Sequence, residues 1–190
     1  MDHDKRLAGK TVALLVANGF AEHEMTDTQK ALVAAGATPK VVSPEIGLVN
    51  GWHEGTWGHN FYVEVKPGSV LPSQYDALLV PGGERSMAAL LDNAHARRIV
   101  KGMVDMNKPV GIVSDAVQLL ERAEVLAGRT VAVPEAHREA AAAAGATLSE
   151  EPVAVDGNLV TSAGGEHLPA FIEAFVGLID GEASGEREAA

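Results

Sequence analysis

Ser114 is the side chain whose position speaks first for chemistry. It closes the apolar run Pro109–Val113 and opens Asp115–Leu120, a stretch with helical patterning. A residue at a strand-to-helix junction stands on a tight turn with its side chain exposed, the setting of a nucleophile elbow. Ile112-Val-Ser114-Asp-Ala116 lacks the flanking glycines of the G-x-S-x-G form, however, and Ser is also a common helix N-cap. Both readings stand at this level. Pro81-Gly-Gly-Glu-Arg85 is not a phosphate loop, because it lacks the G-x-x-x-x-G-K spacing. Arg85 within it is either a candidate partner for a substrate carboxylate or an ordinary surface arginine. The seven histidines (3, 23, 53, 59, 95, 137 and 167) form no H-x-H or H-x-x-x-H pair, so no metal site is expected. Trp52, His53, Trp57 and His59 cluster in sequence; a satellite core and a subunit contact both suit them.

These residues need elements to hold them. Thr11–Ala17 is a continuous apolar run ended by Asn18-Gly19, which fits a strand covered on both faces. Met25, Ala31, Leu32 and Ala35 then recur at near-helical spacing up to Gly36, and Thr38–Ser43 completes a βαβ unit. Residues 44–76 interrupt the rhythm with glycines and prolines, among which Trp52, Trp57, Phe61 and Tyr62 make up half of the eight aromatics; Tyr62–Val65 alternates like a small antiparallel strand. The rhythm resumes with a strand at 76–80, a helix over 94–106, the strand 109–113 and a helix over 115–123. A short strand at 131–133 and an alanine-rich helix over 135–144 follow. Asp156-Gly157-Asn158 between apolar runs signals a hairpin, and Leu168–Ile179 is the last amphipathic helix. The pattern predicts a flavodoxin-like, doubly wound α/β sandwich, with a mainly parallel sheet, helices on both faces and a small β-hairpin. One domain over 1–180 is expected, with 181–190 as a flexible acidic tail. In such sheets ligands bind beyond the carboxyl ends of the strands, where 18–25, 81–85 and 114–117 should converge.

Composition narrows the function classes. The 190 residues carry 15 Lys+Arg against 26 Asp+Glu, a net charge of −11. That balance opposes binding to nucleic acid or an anionic membrane, both of which require a cationic face. The absence of cysteine removes disulfides, thiolate metal sites and any Cys nucleophile. No apolar run approaches the roughly 18 residues of a membrane span, and no signal peptide is evident. A cytoplasmic protein acting on a small molecule is expected.

Several motifs occur in a family order: Asn18–Glu24, Val42–Glu45, Asn50-Gly-Trp52 with Trp57-Gly58, Tyr75–Gly83, Lys108-Pro-Val110, Val125–Arg129, Ala144-Gly-Ala146, Val155–Ser162 and Leu168–Phe171. From Lys10 to Ile179 the chain resembles the ThiJ/PfpI family of the class I glutamine-amidotransferase-like superfamily. The resemblance places a reactive cysteine of the family at Ser114, its following His at Asp115 and a following Gly at Ala116. It places the carboxylic acid that bonds the nucleophile at Glu24, and oxyanion-type backbone donors at Gly82 and Gly83. Val133 stands where Trp or His is common, and Ala163 where Arg is. The resemblance also implies a homodimer or hexamer, built partly through residues 50–62.

A serine hydroxyl needs a positioned His or Lys base, and no His follows Ser114. His23 neighbours Glu24 but should diverge from it by about 100° around the helix. His137 reaches the site only if the fold or a partner subunit brings it. Glu24 and Asp115 as a carboxylate pair would suit hydration, dehydration or isomerisation without a cofactor. The rival class is a pseudoenzyme with an assembly, ligand-binding or chaperone-like stress-protection role; a third reading is a hydrolase using Ser114.

Overall fold

The computed structural model describes residues 5–188, and side chains as far as residue 181. The chain forms β1 (Thr11–Leu15), turns through Asn18-Gly19 into β2 (Phe20–Ala21), continues as α1 (Glu22–Ala34) and returns as β3 (Thr38–Val42). A hairpin of β4 (Leu48–His53) and β5 (Thr56–Tyr62) follows, then β6 (Ala77–Val80), α2 (Glu84–Leu91), α3 (Ala94–Asp105) and β7 (Val110–Val113). The second half comprises α4 (Val117–Arg122), β8 (Thr130–Val131), α5 (Arg138–Ala143), β9 (Thr147–Leu148), β10 (Val153–Asp156), β11 (Leu159–Ser162) and α6 (Leu168–Glu188).

Six strands make the central sheet in the order β10-β11-β7-β6-β1-β3, parallel throughout except for the β10–β11 hairpin. The inner strands β1, β6 and β7 are continuous apolar runs because both faces are covered. Ala13 and Leu15 of β1 pack with α2, α3 and α4 through Met87, Ile99 and Leu119, whereas Val12 and Leu14 pack with α1 and α6 through Leu32, Phe171 and Phe175. Gly111 makes this second layer possible. A Cβ there would lie 2.8 Å from the Phe171 ring and 3.0 Å from Phe175, whose rings stack at 5.8 Å. Among the described residues no helix is long and apolar enough to cross a membrane.

Several expected boundaries shift. The antiparallel pairing in the aromatic segment is β4 with β5, not Tyr62–Val65; Glu54 (φ 47) and Gly55 (φ 82) turn the chain tightly enough to set Trp52 against Trp57. Val65 makes only an isolated parallel bridge with Val42. The strand expected at 131–133 is the two-residue β8, and the helix over 135–144 is a 3-10 turn at Glu135–His137 leading into α5. Helix α2 and strand β9 carried no distinct signal. The expected tail is helical as far as Glu188. An anchored helix gains a hydrogen bond for each added residue without a new nucleus, and Glu and Ala suit it. Side chains from 182 onward, with residues 1–4 and 189–190, lie outside the described residues.

Candidate active site

Three loops meet beyond the carboxyl ends of β1, β6 and β7. Ser114, directly after β7, holds φ 52, the left-handed conformation of an elbow that L-residues adopt at a cost of about 1–2 kcal/mol. Its hydroxyl does not cap the following helix. It donates instead to Oε1 of Glu24 at 2.9 Å. Glu24 is 3% exposed, on the first turn of α1, and its Oε2 accepts the Gly82 N–H at 2.6 Å. The Gly83 N–H donates to Oδ1 of the half-buried Asp115 at 2.8 Å. The two glycines expected as oxyanion donors thus bind the two carboxylates, because a tight turn after β6 aims both N–H groups into a cluster of acids.

Glycine is required at both positions. A Cβ on Gly82 would stand 2.4 Å from Asp115 Oδ1 and 3.1 Å from Glu24 Oε2, so the carboxylates flank one bare backbone position. Gly83, at φ 120, lies against the backbone of Gly19–Ala21. Burial pushes the Glu24 carboxyl up to about 7, against the lowering effect of the Gly82 and Ser114 hydrogen bonds and with further raising by the charges of Asp115 and Glu166. The arrangement is a carboxylate pair in which the buried member changes protonation near neutrality.

His23 lies on the exposed face of α1, beside the buried Glu24. Its Nε2 nevertheless lies 2.6 Å from where a Cβ on Gly165 would be, and Glu24 Oε1 lies 2.9 Å from that same point. Two long side chains can converge across a 100° offset when the backbone facing them has no side chain of its own. That convergence depends on Gly165, 142 positions away in sequence, and no local pattern signals it. His137 makes no hydrogen bond or ion pair to Glu24, Ser114 or Asp115 among the described residues; it ends the 3-10 turn after Pro134. Arg85 is not bonded to the carboxylates. Its guanidinium stacks over Trp52, with Cζ 4.3 Å from the ring centroid.

Comparison with known proteins places the chain in a family. The model of the DJ-1/PfpI family matches residues 10–178, and the chain belongs to that family. It is 32% identical over 168 residues to the deglycase TK1284 of Thermococcus kodakarensis, covering 88% of this chain and 98% of that protein. It is 31% identical over 168 residues to the deglycase PfpI of Pyrococcus furiosus, with the same coverage. Among solved structures, a ThiJ/PfpI domain protein from Brachyspira murdochii superposes with a TM-score of 0.82 at 24% identity, over 92% of this chain and 98% of that one. This likeness confirms the flavodoxin-like fold.

Proposed function

We propose that the protein transfers protons on a small carbonyl-derived substrate, as a hydratase, lyase or isomerase, with Glu24 as the acid–base group. The observation that supports this most is the Glu24 carboxyl itself. It is buried, held by one backbone and one side-chain donor, and placed beside a second carboxylate. A group that titrates near 7 is half ionised at neutral pH and can both take and return a proton. Ionised Glu24 removes a proton from carbon or water; protonated Glu24 delivers it to a neighbouring atom, so the substrate is rearranged with no net change in the enzyme. Ser114 orients the carboxyl, and Asp115, half-exposed, is held beside it by the Gly83 N–H. This reading takes Ser114 to occupy the position of the family's reactive cysteine, and the name deglycase carried by two relatives directs the search to carbonyl compounds.

The experiment is solvent-deuterium exchange into the carbon next to the carbonyl, followed by NMR across a panel of small hydroxy-aldehydes, hydroxy-ketones and oxo acids. Wild-type protein is expected to catalyse exchange, and Glu24→Gln to lose about 10²–10⁴ of the rate. Ser114→Ala should lose about 10–10² of the rate, since its hydroxyl donates to the Glu24 carboxyl and supports its ionised form. Complete loss in Ser114→Ala would turn the assignment toward a serine nucleophile. One feature favours the rival reading of a catalytically silent scaffold: Gly82 and Gly83 both bind carboxylates of the protein. No exchange with any compound would establish that rival over proton transfer, whereas full activity in Glu24→Gln would remove Glu24 as the acid–base group.

A further inference from the structure

Beside Glu24, across His23 and the Gly82-Gly83 turn, lies a pocket of about 240 Å³ lined by His23, Trp52, Glu54, Gly83, Glu84 and Arg85. Arg85 is exposed, and among the described residues its guanidinium makes no hydrogen bond or ion pair. It is nevertheless held in place. Gly19 turns with φ 82 against the arginine stem, and a Cβ there would lie 2.5 Å from Arg85 Cβ and 2.9 Å from Cδ. On the other side the guanidinium lies 4.3 Å over Trp52 and 5.8 Å from Trp57, and the two indoles meet edge to face at 5.2 Å.

A guanidinium stacked on a ring keeps its in-plane N–H donors free, in the fork that fits a carboxylate. Because the side chain is already positioned, little rotamer entropy is lost when an anion arrives. The first turn of α2 begins at the same pocket with no side-chain cap, so the positive end of the helix adds to the attraction for an anion. The exposed carboxylates of Glu54 and Glu84 share the lining, in a chain of net charge −11, and so oppose any ligand of high negative charge.

We propose that Arg85, clamped between Gly19 and Trp52, anchors the carboxylate of a small monoanionic organic ligand, whose remainder extends past His23 toward Glu24. The anchoring stands on this pocket alone; only the direction toward Glu24 rests on the proton-transfer reading.

Trp52 and Trp57 are the chain's two tryptophans, so intrinsic emission reports on this pocket. The protein is titrated at low salt with pyruvate, alanine and citrate. Pyruvate is expected to give a saturable change at millimolar concentration, and the zwitterion alanine and polyanion citrate weaker ones. Arg85→Met should weaken pyruvate about tenfold or more, and Glu84→Gln should tighten it severalfold. Anchoring is read from this titration and chemistry from the deuterium-exchange assay, so the two failures are distinguished. No saturable change with pyruvate, unaltered binding in Arg85→Met, or tighter binding of alanine or citrate than pyruvate would overturn the proposal. If Arg85→Met fails to fold by circular dichroism, the Glu84→Gln arm decides, since that exposed position leaves the arginine in place.

Discussion

Burying Glu24 among donors too few to offset its desolvation makes its charge unfavourable, and that has a consequence for stability. The folded chain holds this proton more tightly than the unfolded chain does. Stability from this group is therefore complete below the ordinary value of 4.5, falls as pH rises toward about 7, and is lost above it. The difference amounts to about 3 kcal/mol. Glu24→Gln keeps an acceptor for Gly82 and carries no charge, so its Tm should exceed that of wild type by several degrees at pH 8, at about 2–4 °C per kcal/mol. The two Tm values should converge near pH 4.5, as scanning calorimetry across that range can check. Equal Tm values at pH 8 would mean that Glu24 is not penalised by burial. Of these residues, Ser114 was legible from the strand–helix junction alone, whereas Glu24 became visible only through the family motif. The closeness of His23 was hidden, because it depends on a glycine in another loop.

At the scale of elements, α1 is clasped to the aromatic hairpin by Glu22. Its buried carboxylate accepts the His59 N–H at 2.7 Å and meets His59 Nδ1 at 2.5 Å. Burial pushes the Glu22 carboxyl up, but the side-chain and backbone hydrogen bonds of His59 and the charge of that ring bring it below its usual value. The clasp therefore stabilises above the ordinary carboxylate range and is lost as pH falls through the lowered value. Gly58 leaves room for it, since a Cβ there would lie 1.8 Å from Oε2. Gly58→Ala should expel the carboxylate and cost about 1–3 kcal/mol, read as a lower urea midpoint. Gly111→Ala should cost about as much by overpacking Phe171 and Phe175. The buried βαβ units were legible because their apolar runs are long and uninterrupted. The β4–β5 hairpin was not, because its exposed strands carry Leu48, Trp57 and Tyr62 outward and so lose the in–out alternation that marks a strand.

For the whole molecule, the parallel sheet explains why residues as distant as 24, 82 and 114 meet: each ends or follows an element whose carboxyl end opens on the same edge. The hairpin stands apart from that sheet and leaves Tyr62 71% and Trp57 51% exposed. We expect that face to pair with a second copy of the chain. Sedimentation at micromolar concentration should find a species larger than 19.8 kDa, and Tyr62→Glu should shift it toward monomer. A monomeric wild type would remove the interface.

Proton exchange by Glu24 near neutrality underlies both the proposed chemistry and the stability profile. It is tested most directly by a carbon-13 NMR titration of the glutamate side-chain carboxyls, with the Glu24 signal assigned by its disappearance in Glu24→Gln. The expected midpoint is near 7; a midpoint at the ordinary 4.5 would leave Glu24 without a role as acid and base at neutral pH.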